Sequence, residues 1–288
     1  MIRLLILGYK GHFALTHLKD CYLDLIEDVV IAKDEAVQED YYNINVELCR
    51  HKGLKFYERG QEPHASSEYW VMIGWRWMVK SDAKLIIVHD SLLPKYRGFN
   101  PLVTALINGD TTIGATCLFG TDDYDRGEVI IQKKTEISYP IKINEAIVVI
   151  SRLYSQILND LCGQIASGSI VSFKQSEEDA TYSLWRDSED YFIDWNRPAD
   201  EIKRFIDAVG FPYQGAKTIL ENCALRIDNA LIVEDIRIAN RQPGKVIFKD
   251  TEGLTIVCGT GLLKIKDFYF DNGSLFDYSK KFRLRFTS

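Results

Sequence analysis

A histidine, His89, follows the apolar run Leu85-Ile86-Ile87-Val88, and an aspartate, Asp125, stands shortly before a second run that contains Val129, Ile130 and Ile131. A strand that delivers a titratable side chain at its carboxyl end is where open α/β folds place their chemistry. An imidazole there can donate or accept a proton, and a carboxylate beside it can orient the ring, so the pair points to general acid–base work. Taken singly, each has a plainer reading. His89 is then a hydrogen-bonded core residue, and Asp125 a turn residue in the acidic group Asp122, Asp123 and Asp125. No further ligand types fall at useful spacing, so a metal site is not expected.

The elements that must position the pair show in the periodicity. Apolar runs at Leu4 to Leu7, Val29 to Ala32, Tyr69 to Ile73 and Leu85 to Val88 alternate with longer polar or amphipathic stretches, the pattern of βαβ units and a mainly parallel sheet. From Asn144 to Ile165 apolar residues recur at three- and four-residue spacing and Gly168 closes the run, which predicts a long helix packed on the sheet. A polar connector, Gln175 to Asp179, follows. Further on, Asn196 is placed to cap a helix with Pro198 in its first turn, ending near Gly210. Short alternating runs (Ala224 to Asp228, Leu231 to Ile238, Val246 to Lys249, Leu254 to Cys258, Leu262 to Phe270) separated by Gly and Asn turns predict a small β-barrel. The expected domains are 1–180 and 181–288.

Composition narrows the function classes. A chain of 288 residues with 46% hydrophobic and 26% charged residues can bury a sizeable core. Its net charge of -6 gives a phosphate backbone no bulk attraction, so nucleic acid is not an expected partner. The apolar run in MIRLLILGYKGH is too short for a signal peptide or a membrane span, which makes a cytoplasmic protein without a membrane partner the expectation. The six cysteines, Cys21, Cys49, Cys117, Cys162, Cys223 and Cys258, are scattered and read as isolated reduced thiols.

The segment HDSLLPKYRGFNPLVTALINGDTTIGATCLFGTDDYDRGEVII resembles the signature of the formyltransferases that use 10-formyltetrahydrofolate. That family acts on glycinamide ribonucleotide, methionyl-tRNA and nucleotide-sugar amines. The matching positions are His89, Ser91, Leu92, Leu93, Pro94, Gly98, Asn108, Gly109, Gly114, Thr116, Asp125, Gly127 and the Val129-Ile130 pair. Asp90, in place of the proline usual in the purine and tRNA enzymes, and Ser183-Leu184-Trp185-Arg186-Asp187 look like the nucleotide-sugar branch. The stretch from Trp185 to Ala216 is similar to the linker and second domain of the methionyl-tRNA and amino-arabinose enzymes. The resemblance implies a Rossmann-like formyltransferase domain followed by a small barrel of the oligonucleotide-binding type.

It also implies roles. Formyl transfer to an amine needs an uncharged nucleophilic nitrogen, a donor to the oxygen that becomes negative, and a path for the amine proton. His89 is the donor or acceptor, with Asp125 orienting it and shuttling the proton. The family asparagine that polarises the formyl oxygen is absent, because Ile87 stands there. Alternation along a strand puts Ile87 and His89 on one face, so the amide is missing rather than displaced. Loss of one such donor costs about 100- to 1000-fold in turnover. Asn100 is the nearest replacement, with a helix cap ahead of Pro101 as its other reading.

For the folate, Gly74-Trp75-Arg76-Trp77-Met78-Val79 is similar to the loop whose backbone pairs with the pterin. Trp75, Trp77, Met78 and Val79 then flank the ring, with core packing as the alternative for Trp75 and Met78. Asp122, Asp123 and Tyr124 close over the same pocket. Gly8, Tyr9 and Lys10 offer backbone amides and a cation to a diphosphate, or form an ordinary strand-to-helix turn. Arg97 and Arg186 are further phosphate ligands. Trp185 stacks on the base or pins the connector.

The leading expectation is a sugar N-formyltransferase acting on a UDP- or dTDP-linked amino-dideoxyhexose, with products that feed surface polysaccharide or flagellar glycan assembly. Methionyl-tRNA formyltransferase, a catalytically silent folate or nucleotide-sugar binding protein, and a hydrolase releasing formate are the alternatives. A homodimer is the expected assembly, dimers being the commonest closed form.

Overall fold

In the computed structural model, which describes residues 1–35 and 37–288, the first half of the chain builds a seven-stranded sheet. Its elements are β1 (Ile2–Ile6), α1 (Gly8–Thr16), β2 (Ile26–Ile31), α2 (Tyr42–His51), β3 (Phe56–Glu58), β4 (Tyr69–Ile73), β5 (Lys84–His89), a two-residue β6 (Arg97–Gly98), α3 (Pro101–Asn108), β7 (Thr112–Phe119), β8 (Val129–Glu136), α4 (Ile143–Ala166) and β9 (Tyr182–Ser183). The sheet order is β3-β2-β1-β4-β5-β7-β8, parallel from β3 through β5 and antiparallel across β5-β7 and β7-β8. The four apolar runs of the sequence are β1, β2, β4 and β5. All five residues of β1 are buried, as a central parallel strand covered on both faces requires.

Register fixes what each face carries. Leu5 aligns with Val30 and Met72, and Met72 with Ile87, so these lie on one face. On the other face α1 comes so close to β1 that a Cβ at Gly11 would meet Ile6 Cβ at 2.7 Å. The long helix α4 buries Ala146, Ile147, Ile150, Leu153, Tyr154, Ile157, Leu158 and Leu161, the expected stripe. Its Tyr154 hydroxyl donates to Val88 O at 2.9 Å.

Contacts divide the chain into two units. The first comprises Met1–Leu102, Thr111–Ile137 and Glu145–Trp185, and the second Val103–Asp110, Ser138–Asn144 and Arg186–Ser288. The sequence boundary after residue 180 thus differs from this division at the junction and by two borrowed segments. The borrowed segments are held by polar contacts inside the second unit. Tyr139 Oη donates to Asp110 O at 2.9 Å, Arg204 Nε to Ile107 O at 3.1 Å, and Lys142 Nζ to Asp228 O at 3.3 Å.

The second unit holds α5 (Ala199–Val209) and the strands β10 (Ala216–Leu220), β11 (Cys223–Ile227), β12 (Leu231–Val233), β13 (Val246–Asp250), β14 (Gly253–Val257), β15 (Leu262–Ile265) and β16 (Phe286–Thr287). They form the antiparallel sheets β11-β10-β16 and β12-β15-β14-β13, linked by the pairing of Lys245 with Arg285, an antiparallel β domain of the expected class. Asn196 does not cap α5. Pro198 occupies the cap position with extended backbone, and the Asn196 amide turns back to Asp194 Oδ1 at 2.9 Å. Asp200 and Glu201 in the first turn complement the helix dipole instead. No helix among the described residues is long and apolar enough to cross a membrane.

One buried charge pair anchors the sheet. Arg3 on β1 is 1% exposed and donates to both Asp28 carboxylate oxygens on β2 at 2.7 Å, with its guanidinium 4.9 Å from the Trp70 ring. Arg3→Met leaves Asp28 buried and unpaired, so urea unfolding should show a loss of about 3–5 kcal/mol, and adding Asp28→Leu should recover most of it.

Candidate active site

His89 is the last residue of β5 and is 8% exposed. Its Nδ1 lies 3.4 Å from Asp125 Oδ1, and its Nε2–H donates to Tyr96 O at 2.8 Å. Both ring nitrogens therefore face oxygen atoms, and of the two contacts only that of Nε2 is short enough for a hydrogen bond. Asp125 comes from the β7–β8 connection and adopts a left-handed backbone with φ +54°. Its second oxygen, Oδ2, accepts the Gly98 N–H at 2.8 Å. Gly98 has φ +98°, and a Cβ there would sit 2.6 Å from Ser183 O on β9, so this close approach admits only glycine.

The other motif residues hold the loop that closes the site. Thr116 pairs with His89 across β5 and β7. Its hydroxyl donates to Ser91 O at 2.6 Å and accepts the Leu93 N–H at 3.2 Å and the Gln132 amide at 2.9 Å. The Ser91 hydroxyl donates to Lys95 O at 2.6 Å. A Cβ at Gly114 would overlap Leu92 Cδ2 at 2.3 Å, and one at Gly127 would overlap Phe119 O at 1.7 Å. The fixed spacing of the motif is thus a network of hydrogen bonds and close contacts that delivers the Tyr96 carbonyl and the Gly98 N–H to the histidine and the aspartate.

Other expected residues are placed as follows. Ile87 joins Trp75, Val79, Leu85 and Trp70 against the buried cluster of Leu5, Val30 and Met72, so an apolar wall stands where the family amide would be. Trp75 and Trp77 meet edge to face at 5.2 Å, and the buried Trp75 indole N–H has no hydrogen-bond partner among the described residues. Met78 is exposed, and the Arg59 guanidinium lies over the Trp77 ring at 4.2 Å. Asp122, Asp123 and Tyr124 are exposed, with Tyr124 5.4 Å from the Phe99 ring. Asn100 precedes α3 with φ +49°, a left-handed backbone rather than the extended one of a capping residue. Gly8 and Tyr9 open α1, and Tyr9 packs on Phe13 and Tyr41. Trp185 is exposed, and Arg186 belongs to the second unit, where its Nη1 lies 3.4 Å from Asp190 O.

Two expected phosphate ligands are engaged elsewhere. The Arg97 side chain is fully buried, with Nε and Nη2 donating to Gln175 Oε1 and Nη1 and Nη2 to Glu177, so it is withdrawn from the ligand set. The Lys10 ammonium is ion-paired with Asp90, which also accepts the Tyr154 hydroxyl. The sequence did not single out the Tyr96 carbonyl, Phe99, Tyr154 or the amide of Gln175. Only Gly98, as a motif glycine, carried a signal of its backbone role.

Among the described residues no group of three His, Cys, Asp or Glu side chains is arranged to hold a metal. Burial pushes the thiols of Cys49, Cys162 and Cys258 up to about 12, so these three stay protonated at physiological pH. An open cleft of about 460 Å³ lies at residues 34, 35 and 37–44, lined in part by Asp34, Glu35, Glu39 and Asp40, and contains none of the expected site residues.

The sheet, the histidine at its carboxyl edge and the aspartate beside it define a class that two family models identify. Residues 65–146 match the formyl transferase model, and residues 186–283 match its C-terminal domain. The chain belongs to the formyl transferase family. A methionyl-tRNA formyltransferase of Ruminiclostridium cellulolyticum is 28% identical over 200 residues, covering 69% of this chain and 62% of that protein. The chain therefore spans about three-fifths of the length of the curated relative. Among solved structures, the N-formyltransferase from Helicobacter canadensis aligns over 93% of this chain and 99% of its own, with TM-score 0.69 and 16% identity. WlaRD, a sugar 3N-formyl transferase, aligns over 92% and 96%, with TM-score 0.67 and 18% identity. These structural likenesses concern the fold.

The Gly98 contact yields a direct test. Gly98→Ala forces a Cβ against Ser183 O in a left-handed backbone, so it should cost more than about 1 kcal/mol in urea unfolding, whereas Gly109→Ala, facing only the flexible Arg204 side chain at 3.2 Å, should cost less.

Proposed function

We propose that the chain is a sugar N-formyltransferase, moving the formyl group of 10-formyltetrahydrofolate to the amine of a nucleotide-linked amino-dideoxyhexose. The observation that carries the reading is the His89–Asp125 pair at the carboxyl end of β5. The acceptor amine attacks the formyl carbon uncharged. As the formyl oxygen gains charge, the proton on His89 Nε2, now shared with Tyr96 O, is the donor that the site offers it. Asp125 holds the ring and relays the proton that the amine loses to the departing N10. The new C–N bond forms as the bond from the formyl carbon to N10 breaks, giving a formamide and tetrahydrofolate with no net change in protons. Trp75, Trp77, Met78 and Val79 are assigned to the folate ring with Asp122, Asp123 and Tyr124 closing over it, Gly8 and Tyr9 to the diphosphate, and Trp185 to the base.

Several observations support a sugar over a tRNA acceptor. The Helicobacter canadensis enzyme was crystallised with folinic acid and dTDP-3-aminofucose, and WlaRD with dTDP and 5-N-formyl-THF. The net charge is -6. Residues 186–288 carry as many acids as bases, so this region offers a tRNA backbone little electrostatic attraction. The names of the curated relatives favour the tRNA reading, and Ile87 favours a silent binding protein.

A mass-spectrometric screen of amino sugars linked to uridine and thymidine diphosphates, each with formyl-folate, should show a formyl mass gain for one family of sugars and none for initiator tRNA. With that acceptor, His89→Asn and Asp125→Asn should each cut turnover at least about 100-fold with folding intact. The rate should rise from acid toward mildly alkaline pH as the amine loses its proton. A rate peaking in acid would overturn the mechanism. Asn100→Gly deletes the amide and suits the left-handed backbone, so it should lower kcat with little loss of stability. Ile87→Asn should restore part of that loss. An unchanged rate in Asn100→Gly removes Asn100 from the site.

A further inference from the structure

The segment after α4 reaches back to the catalytic aspartate. The Gln175 amide donates from Nε2 to Asp125 O at 2.7 Å and to Gly127 O at 2.8 Å, bracing the loop on both sides of Arg126. Its Oε1 accepts from Arg97 Nε at 3.1 Å and from Nη2 at 2.9 Å. Arg97 belongs to β6, whose next residue, Gly98, supplies the N–H held by the Asp125 carboxylate. Glu177 completes the ring, accepting from Arg97 Nη1 at 2.9 Å and Nη2 at 3.0 Å and from Arg126 Nη2 at 2.8 Å. Both the backbone and the side chain of Asp125 are thus tied, through one buried guanidinium, to residues 50 and 52 positions away in sequence.

The gap between His89 and Asp125 makes this bracing consequential. At 3.4 Å it lies just beyond the span of about 2.7–3.2 Å in which an N–H···O bond forms. A shift of the 125–127 loop by a few tenths of an ångström decides whether the carboxylate grips the ring. We propose that Gln175, fixed by Arg97 and Glu177, is a positioning residue that sets the His89–Asp125 distance and so governs the histidine's orientation. For its rate readout this rests on the formyl-transfer reading. The Arg97 and Arg126 guanidiniums pull the Glu177 carboxyl down to about 2. The clasp is therefore complete above the ordinary carboxylate range and is lost only as pH falls toward 2, so a change in rate between pH 5 and 8 does not come from Glu177.

Gln175→Glu isolates the effect, because it keeps acceptors for Arg97 but has no proton for the Asp125 and Gly127 carbonyls. With the sugar acceptor, kcat should fall about 100-fold while KM for the formyl donor changes little, the signature of misplaced machinery rather than lost binding. In the nitrogen-15 NMR spectrum of the His89 ring, the variant should move from the wild-type chemical shifts to those of Asp125→Asn. Glu177→Gln, a milder change, should shift both readouts in the same direction by less. A lowered melting temperature with wild-type kcat and wild-type His89 ring chemical shifts in both variants would overturn the proposal and leave Gln175 a stability residue only. If the wild-type protein transfers no formyl group to any acceptor, the functional reading fails, whereas the His89 ring chemical shifts still decide the positioning claim.

Discussion

One backbone hydrogen bond, from the Gly98 N–H to Asp125 Oδ2, couples the two loops on which the candidate site is built. His89 ends strand β5 and Asp125 lies in the β7–β8 connection, and no regular hydrogen-bonding pattern of the sheet brings their side chains together. The bond forms because Gly98 can adopt φ +98° while pressed against Ser183 O, and because Asp125 itself takes a left-handed turn. The glycine spacing of the motif follows from that requirement. Ser91, Thr116 and Gln132 keep the intervening loop from relaxing, and without them the Tyr96 carbonyl would not meet Nε2.

The parallel half of the sheet was legible because its central strands, β1 above all, are buried on both faces. Leu4 to Leu7 and Leu85 to Val88 read as near-continuous apolar runs, and a strand interior has little other way to satisfy such a run. The long amphipathic stretch was equally plain in α4, where Ile150, Leu153, Ile157 and Leu161 recur along one side. The Asn196 cap was misplaced because a polar residue two places before a proline satisfies the capping pattern wherever it stands. In the structure the start of α5 lies where Pro198 pairs with Thr260, a tertiary contact the sequence does not show. The second unit's borrowing of Val103–Asp110 and Ser138–Asn144 rests on side chains reaching backbone carbonyls, which leave no periodic trace in sequence.

Within the candidate site, sequence reasoning reached side chains and missed main-chain groups. His89 and Asp125 were visible because their types announce their chemistry. The Tyr96 carbonyl was not, since any residue would supply it. Arg97 was legible as a cation and misjudged as a ligand, because sequence does not reveal that Gln175 and Glu177 meet it first. At Ile87 the sequence told the larger part of the story. An apolar residue on the histidine's face had to pack, and it does so beside Trp75 and Val79.

The cluster of Lys10, Asp90 and Tyr154 has a bearing on how this chain can diverge from its relatives. Asp90 stands where purine and tRNA enzymes carry proline, and it neutralises a lysine from the first turn of α1 while receiving a hydroxyl from α4. Exchanging Asp90 alone for proline removes the carboxylate that balances the poorly solvated ammonium of Lys10, while the Tyr154 phenol keeps its bond to Val88 O. Three positions far apart along the chain therefore form one heritable unit. Drift at any of them is held back by the other two, and a chimera that transplants the motif without its partners from α1 and α4 inherits an unbalanced charge.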